Sequence, residues 1–327
     1  MSRGLLFAAA VSTAVGCTPI TPSALDARGP AQRPITGLWW LMLWISAAVF
    51  VFVVAMLLFG IVRGRRRSAD EARAEARWGE PFVVVAGVAV SAVILVAVFV
   101  VSLRQMRALA EQGHGAALTI NVIAHDWWWE ARYGNGAVTA NEIHIPSGTR
   151  VRLLLETADV IHDFWVPQLG PKRDTIPGRT NELWIQADAP GRYRGQCAEY
   201  CGLQHAHMGI WVFADAPPAF DAWMSEQARP AAPPSGSAAR GHKVFMTNTC
   251  VGCHTIRGTP AAGTLGPDLT HLASRTSIAA AALPNTPGVL SAWIVDPQQA
   301  KPGVSMPPTD LSTEDLADLL VYLRSLK

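Results

Sequence analysis

Four of the five cysteines form two short pairs, Cys197/Cys201 and Cys250/Cys253, and each pair has histidine beside it. Pairs this close, with an odd total, do not make a disulfide framework, which staples distant segments. They read as ligands. In Gly195-Gln-Cys-Ala-Glu-Tyr-Cys-Gly-Leu-Gln-His-Ala-His-Met208, the donors Cys197, Cys201, His205 and Met208 recur at spacings of four, four and three. His162, in Asp159-Val-Ile-His-Asp-Phe-Trp-Val-Pro167, lies upstream at a strand end. One histidine from an early strand, with cysteine, histidine and methionine from a late loop, is a soft donor set suited to copper. Two thiolates in one loop can bridge two ions that share one added electron, which keeps bond-length changes on reduction small. A Cys197–Cys201 disulfide and a zinc site compete with copper, although a methionine donor disfavours zinc. His114, His144 and His271 read as surface or core residues, and His207 as a neighbour of the site.

The second pair stands in Cys250-Val-Gly-Cys253-His254, the attachment signature of a covalent haem. Two thioether bonds would fix the ring, and His254 would become the proximal iron ligand. Zinc would need two more soft donors nearby, and a redox dithiol would want a strand–helix–strand context. The sequence offers neither.

Elements of three kinds must position these groups. The chain has 327 residues, enough for two or three domains, with half of them apolar and only 16% charged. A net charge of +2 and the lack of a basic run exclude nucleic acid as a partner. Residues 1–17 read as an export signal, with Arg3, an apolar run and then Gly16-Cys17. They resemble a bacterial lipoprotein signal, which would leave lipid on Cys17, although Ala14 stands where leucine is usual. A plain cleaved signal and an uncleaved buried cysteine are the competing readings. Within 18–112, two apolar runs at about 38–62 and 82–103 are long enough to cross a bilayer. Trp39, Trp40 and Trp44 form an interfacial belt at the start of the first. The loop between them holds Arg63, Arg65, Arg66, Arg67, Arg73 and Arg77, which places it in the cytoplasm and both termini outside.

Residues 113–225 alternate short apolar runs with turn residues, the pattern of an all-β sandwich or barrel. A Pro-, Ala- and Ser-rich stretch at 226–238 reads as a flexible linker. Residues 239–327 read as a small all-α domain. Its terminal helix starts at Ser312, with Asp315 completing a capping box, and Leu316, Leu319, Leu320, Leu323 and Leu326 line one face.

Residues 118–213 resemble the copper A domain of cytochrome c oxidase subunit II through DVIHDFWVPQLGPKRDTIPGR and GRYRGQCAEYCGLQHAHM, and the two preceding spans fit as well. Together these cover most of residues 17–225. The resemblance implies a Greek-key cupredoxin domain holding a dinuclear copper A. Cys197 and Cys201 would bridge both ions, His162 and His205 would each bind one, and Met208 and the Glu199 carbonyl would be weak outer ligands. The Glu199 carboxylate would face subunit I and help bind Mg2+. Asp163 stands where the family usually has serine, adding a negative charge that would lower the potential but removing no ligand. Glu80 is near the place of a family glutamate before the second span, but Trp78 precedes it where the family tryptophan follows, so no role is assigned. In the run Trp127-Trp128-Trp129, alternation buries one or two rings in the core. The resemblance makes Trp127 the point at which electrons enter. A modest acidic excess suits docking of a basic cytochrome.

Gly266-Pro-Asp-Leu269 and Lys301-Pro-Gly-Val-Ser-Met306-Pro resemble loops of class I cytochromes c. The resemblance implies that the Pro267 carbonyl orients His254, that Met306 is the sixth iron ligand, and that the Gly241–Phe245 helix crosses the terminal helix. A methionine ligand raises the haem potential, as a donor to copper requires.

The expected protein is thus a two-helix transmembrane hairpin carrying a cupredoxin and a cytochrome c domain. It would be the electron-input subunit of a caa3-type oxidase in a bacterial inner membrane, with the copper and haem domains outside. Haem c would feed copper A, and copper A would feed subunit I, where oxygen is reduced, so no catalytic residue lies in this chain. Subunit I, subunit III, a cytochrome c or membrane-bound donor, and lipid are the implied partners. The alternatives are the electron-input subunit of a nitric oxide reductase and a copper-binding assembly or storage protein. Covalent haem argues against storage, which needs no electron wire. A nitrous oxide reductase would need a histidine-rich cluster, and quinol oxidase subunits lack these copper ligands.

Overall fold

The computed structural model of the chain describes residues 22–65, 69–111 and 115–327. The export signal with Cys17, together with Arg66, Arg67 and His114, lies outside the described residues, as do the side chains of Arg73, Arg77, Trp78 and Glu80.

Two long helices come first, α1 (Gln32–Gly64) and α2 (Ala69–Glu111). Gln32–Gly64 and Pro81–Ala110 are long and apolar enough to cross a membrane, and their apolar windows are not buried against the rest of the protein. A soluble core helix with this composition would be covered; these helices are apolar on every side and suited to lipid. Pro81, which has no N–H to donate, sits where the apolar part of α2 begins. Trp39 meets Trp40 edge-on at 4.7 Å and Trp40 stacks with Trp44, near the start of α1. Just before α1, the chain is tied to the β domain. The Arg28 N–H donates to the Gln168 carbonyl (2.8 Å), the Asp188 N–H donates to the Arg28 carbonyl (2.9 Å), and Gln168 Nε2 donates to Asp26 (2.8 Å). Arg33 pairs with Asp188 from the first turn of the helix.

The β domain has ten strands: β1 (Leu118–His125), β2 (Trp128–Tyr133), β3 (Val138–Ala140), β4 (Glu142–Pro146), β5 (Val151–Thr157), β6 (His162–Trp165), β7 (Arg173–Thr175), β8 (Asn181–Ile185), β9 (Gly191–Cys197) and β10 (Gly209–Asp215). They form two five-stranded sheets, ordered β3-β2-β1-β5-β8 and β4-β10-β9-β6-β7. Sequence neighbours are split between the sheets, as in a Greek key, and β1/β5 and β4/β10 run parallel. Alternation sets the inner faces: on β5, Val151, Leu153 and Leu155 are buried while Arg152 and Leu154 are half-covered. Trp129 fills the centre, edge-on to Phe164 at 5.4 Å. In the second sheet Phe164 lies opposite Cys197 and Gln196 opposite Gly209. The start of β6, the end of β9 and the start of β10 therefore meet at one end of three adjacent strands, where the 198–208 loop folds over them.

After β10, α3 (Pro217–Gln227) lays Trp223 on His144, with ring centroids 4.1 Å apart, and His144 bonds Asp215. The following segment does not run free as the linker composition suggests. Ala231 N–H bonds the Arg257 carbonyl, the Arg257 guanidinium bonds the carbonyls of Gln227 and Ala228, and His271 Nε2 meets the Arg229 carbonyl. His271 is thus a buried structural residue.

The α domain contains α4 (Ser237–Thr247), α5 (Cys250–Cys253), α6 (Pro287–Val295), α7 (Pro297–Ala300) and α8 (Thr313–Ser325). Ser312 caps α8, accepting from the Asp315 N–H at 3.1 Å and donating to its carboxylate at 2.8 Å. Leu319, Leu323 and Leu326 are buried, with Tyr322 beside them. Helix α4 crosses α8 at Gly241, where a Cβ would lie 1.9 Å from the Asp318 carbonyl oxygen and 2.7 Å from Tyr322 Cβ. Only glycine allows this approach, and Arg240 forks onto the Asp318 carboxylate beside it (2.7 and 2.9 Å). Gly241→Ala should lower the stability of the α domain by about 2–3 kcal/mol through overpacking. Thermal unfolding followed by haem absorbance will register it as a lower midpoint, with a smaller loss of about 1 kcal/mol for Ser312→Ala.

Candidate copper and haem centres

The copper loop begins where β9 ends. The Cys197 N–H donates to the Met208 carbonyl (2.9 Å), and the Ala198 N–H to the Asp163 carbonyl (3.0 Å), which closes the loop against β6. Gly202 has a φ of 111° and lies under the Trp127 ring; a side chain there would be both strained and crowded. A short 3-10 turn at His205–His207 then returns the chain to β10.

The six predicted donors converge. Cys197 Sγ lies 3.8 Å from Cys201 Sγ, 4.0 Å from His162 Nδ1 and 3.2 Å from the Glu199 carbonyl oxygen. Cys201 Sγ lies 3.6 Å from His205 Nδ1 and 3.9 Å from Met208 Sδ. A disulfide needs about 2.05 Å between sulfurs, so both thiols are free. Metal–thiolate bonds of roughly 2.3 Å span a gap of this size from either side. The sulfurs belong to the hydrophobic core that also holds Phe164 and Trp129, which keeps water off the site. His207 bonds Gln204 (2.8 Å) and is a neighbour, as the sequence suggested.

Without metal the two thiols share a proton. The hydrogen bond from Cys201 holds Cys197 down to about 3, and the same bond, with burial, pushes Cys201 up. Burial, the largest single influence, would lower His162, but Asp159, with Oδ1 2.8 Å from its Nε2, and the Cys197 sulfur together outweigh it and push the imidazole up to about 9. For Asp159, burial likewise opposes the charge, and the bonds from His162 and from the Val160 and Asp126 N–H groups still keep it below the usual carboxylate range. His162 thus presents Nδ1 to the sulfurs while a carboxylate holds Nε2, the arrangement that fixes a metal-binding imidazole. Sequence reading passed over Asp159, although a carboxylate three residues before a ligand histidine was the available signal.

Asp163 faces a second carboxylate. It is 1% exposed and pairs across the β6–β7 ladder with Asp174. Burial and the bond to Asp174 push its carboxyl up to about 7, with Lys172 only 3.9 Å away in partial compensation. Its next-door position on the strand turns it to the opposite sheet face from His162.

The three tryptophans take different surroundings, two of them buried. Trp129 is in the core, Trp128 stacks on His125 (4.1 Å), and Trp127 is half-exposed with its indole N–H donating to the Cys201 carbonyl at 2.7 Å.

In the α domain, Cys250 and Cys253 carry free thiols on a single helical turn, and burial pushes Cys250 up. His254 Nδ1 is 2.8 Å from the Pro267 carbonyl oxygen, which fixes the ring and leaves Nε2 as the ligand atom, while burial holds the imidazole neutral. This is the donor set of a covalently attached haem. The Met306 loop is held by Gln298, whose Nε2 donates to the carbonyls of Val304 (2.9 Å) and Met306 (3.0 Å). The structure gives no contact between Met306 and His254.

A two-helix anchor, a β sandwich with clustered soft donors and an α domain with a covalent-haem motif define a membrane-bound electron carrier. The family model for the periplasmic domain of cytochrome c oxidase subunit II matches residues 136–214, and that for cytochrome c matches residues 238–327. The chain is 35% identical over 313 residues to cytochrome c oxidase subunit 2 of Alkalihalophilus pseudofirmus, covering 93% of this chain and 91% of that one. It is 32% identical over 250 residues to cytochrome c oxidase subunit 2 of Bacillus subtilis, covering 72% and 70%. Among solved structures, the periplasmic domain of subunit II of cytochrome oxidase of Bradyrhizobium japonicum is 32% identical, covers 35% of this chain and 94% of that one, and has a TM-score of 0.34. The chain belongs to the cytochrome c oxidase subunit II family, in a form that carries its own cytochrome c domain.

The hydrogen bonds and protonation of the donor cluster lead to two outcomes. Asp159→Asn should weaken copper retention 10–100-fold in chelator competition, with the fold unchanged. Copper loading at neutral pH should release protons from His162 and Cys201, so apparent affinity rises with pH; titration calorimetry in buffers of different ionisation enthalpy measures the number released.

Proposed function

We propose that this chain is the electron-input subunit of a haem–copper oxidase, in which haem c accepts electrons and a dinuclear copper A passes them to subunit I for reduction of oxygen to water. Cys250, Cys253, His254 and Met306 would hold the haem. Cys197 and Cys201 would bridge the coppers, with His162, His205, Met208 and the Glu199 carbonyl completing the set. The exposed Glu199 side chain is free to reach a Mg2+ site shared with subunit I. The arginines after α1 place the inter-helix loop in the cytoplasm, and the copper and haem domains on the opposite side of a bacterial inner membrane.

One observation supports a direct path between the two centres. Trp127 joins the copper loop to the α domain: its indole N–H donates to the Cys201 carbonyl, and its own carbonyl accepts from Lys301 Nζ at 3.2 Å, five residues before Met306. Gln204 of the copper loop also donates to the Pro302 carbonyl at 2.7 Å. The Met306 loop and the copper loop are thus in direct contact, and Trp127 is hydrogen-bonded to both.

In the purified membrane complex, rapid reduction of haem c should be followed by appearance of reduced copper and then by oxygen uptake. Copper-depleted enzyme should keep a reducible haem c and lose oxygen uptake. Trp127→Leu should slow haem-to-copper transfer at least tenfold with both spectra retained. Nitric oxide turnover without oxygen uptake would overturn the oxidase reading.

A further inference from the structure

The contact between the two soluble domains is built from buried polar groups that have their partners across the boundary. Glu142, the first residue of β4, is 3% exposed. Its Oε1 accepts four hydrogen bonds, all from the α domain: Thr276 N–H (2.9 Å), Thr276 Oγ1 (2.7 Å), Ser277 N–H (2.9 Å) and Ser277 Oγ (3.1 Å). Lys301, 2% exposed, comes from the α domain, and its Nζ donates to the carbonyls of Trp127 (3.2 Å) and Ala279 (3.3 Å). A buried carboxylate and a buried ammonium at one boundary are satisfied only in a specific orientation of the two domains.

Between these anchors the backbone itself is strained. Ala279, Ala280 and Ala281 have φ of 54°, 59° and 57°, three successive non-glycine residues in the left-handed region. Such a run persists only where its surroundings determine it. Here the surroundings are the other domain. The Ala280 carbonyl accepts from the Gly209 N–H (3.0 Å), and the Ala281 carbonyl from Arg194 Nη1 (2.6 Å). The Ala280 methyl is buried with Trp128 and Ala140 of the β domain. Gly209 follows the copper donor Met208, and a Cβ there would lie 3.1 Å from the Ala280 oxygen, so the two backbones meet at closest approach.

We infer that Glu142, Lys301 and the left-handed Ala279–Ala281 turn form a latch that holds the cytochrome c domain in one fixed orientation on the copper loop. These are positioning residues for electron transfer within the chain. They touch neither cofactor's ligating atoms, yet they set the separation across which the electron passes. The functional part of this inference rests on the electron order proposed above; the geometric part does not.

Pulsed EPR of the intact, fully oxidised membrane complex tests the geometry through the magnetic interaction between haem c and the copper centre. The wild type should give one narrow distance distribution, and Glu142→Gln combined with Lys301→Met should give a broad one, with the haem and copper spectra and both reduction potentials unchanged. Haem-to-copper transfer in the double variant should fall tenfold or more. A broad distribution in the wild type overturns the latch whether or not the variant folds. A narrow distribution in a folded double variant overturns the assignment of these residues, and broadening without a slower rate overturns their positioning role. If the wild type shows a narrow distribution but no transfer from haem to copper, the electron order fails and the latch stands.

Discussion

Two thiols held 3.8 Å apart inside a hydrophobic core cannot both be ionised unless cations lie between them. The rest of the β domain is arranged around that constraint. The end of β9 supplies one sulfur, the loop over it supplies the other, and the neighbouring strands bring His162 and Met208 to the same end of the sheet. Asp159 holds the far nitrogen of His162, so the near nitrogen is always turned toward the sulfurs. The low-dielectric surroundings oppose two separate negative charges at this spot, so the pair must share a compensating positive charge.

The second organising feature is the joint between the domains. Domains on a Pro- and Ala-rich tether normally move relative to one another unless something at their contact prevents it. Here the first half of the tether is itself hydrogen-bonded to Arg257 and His271, and the contact combines a buried acid, a buried base and a left-handed alanine turn. Burial pulls the Lys301 ammonium down to about 8, a sign of how little water reaches that boundary. Left-handed alanines cost about 1–2 kcal/mol each. A backbone carrying that cost at three consecutive positions is a backbone shaped by its partner surface.

The ligand sets were legible because their chemistry is local. Cys197 to Met208 lies within one loop, and Cys250 to His254 within one short segment, so spacing marks the candidate donors and the family resemblance implies their roles. His162 was legible because its own segment carries a recognisable motif. The capping of α8 also follows from short-range rules. Glu142 and Lys301 were not legible. Each is an ordinary charged residue in sequence, and its partner is more than a hundred residues away, set only by how two separate folds meet. The surroundings of Asp163 were hidden for the same reason: its neighbour Asp174 is brought opposite by the β6–β7 pairing alone. The length of the linker was readable, but its hydrogen bonds to Arg257 and His271 were not.

The short segment before α1 has a mechanical consequence. Arg28 is hydrogen-bonded to the β domain through both its N–H and its carbonyl, and Arg33 pairs with Asp188 within the first turn of the helix. The sandwich is therefore bolted to the top of a membrane-spanning rod with almost no slack between them. The copper loop must ride at a constant height above the lipid surface, and any tilt of that rod, as in a bilayer of different thickness, would swing the whole redox head as a lever instead of being absorbed by a hinge.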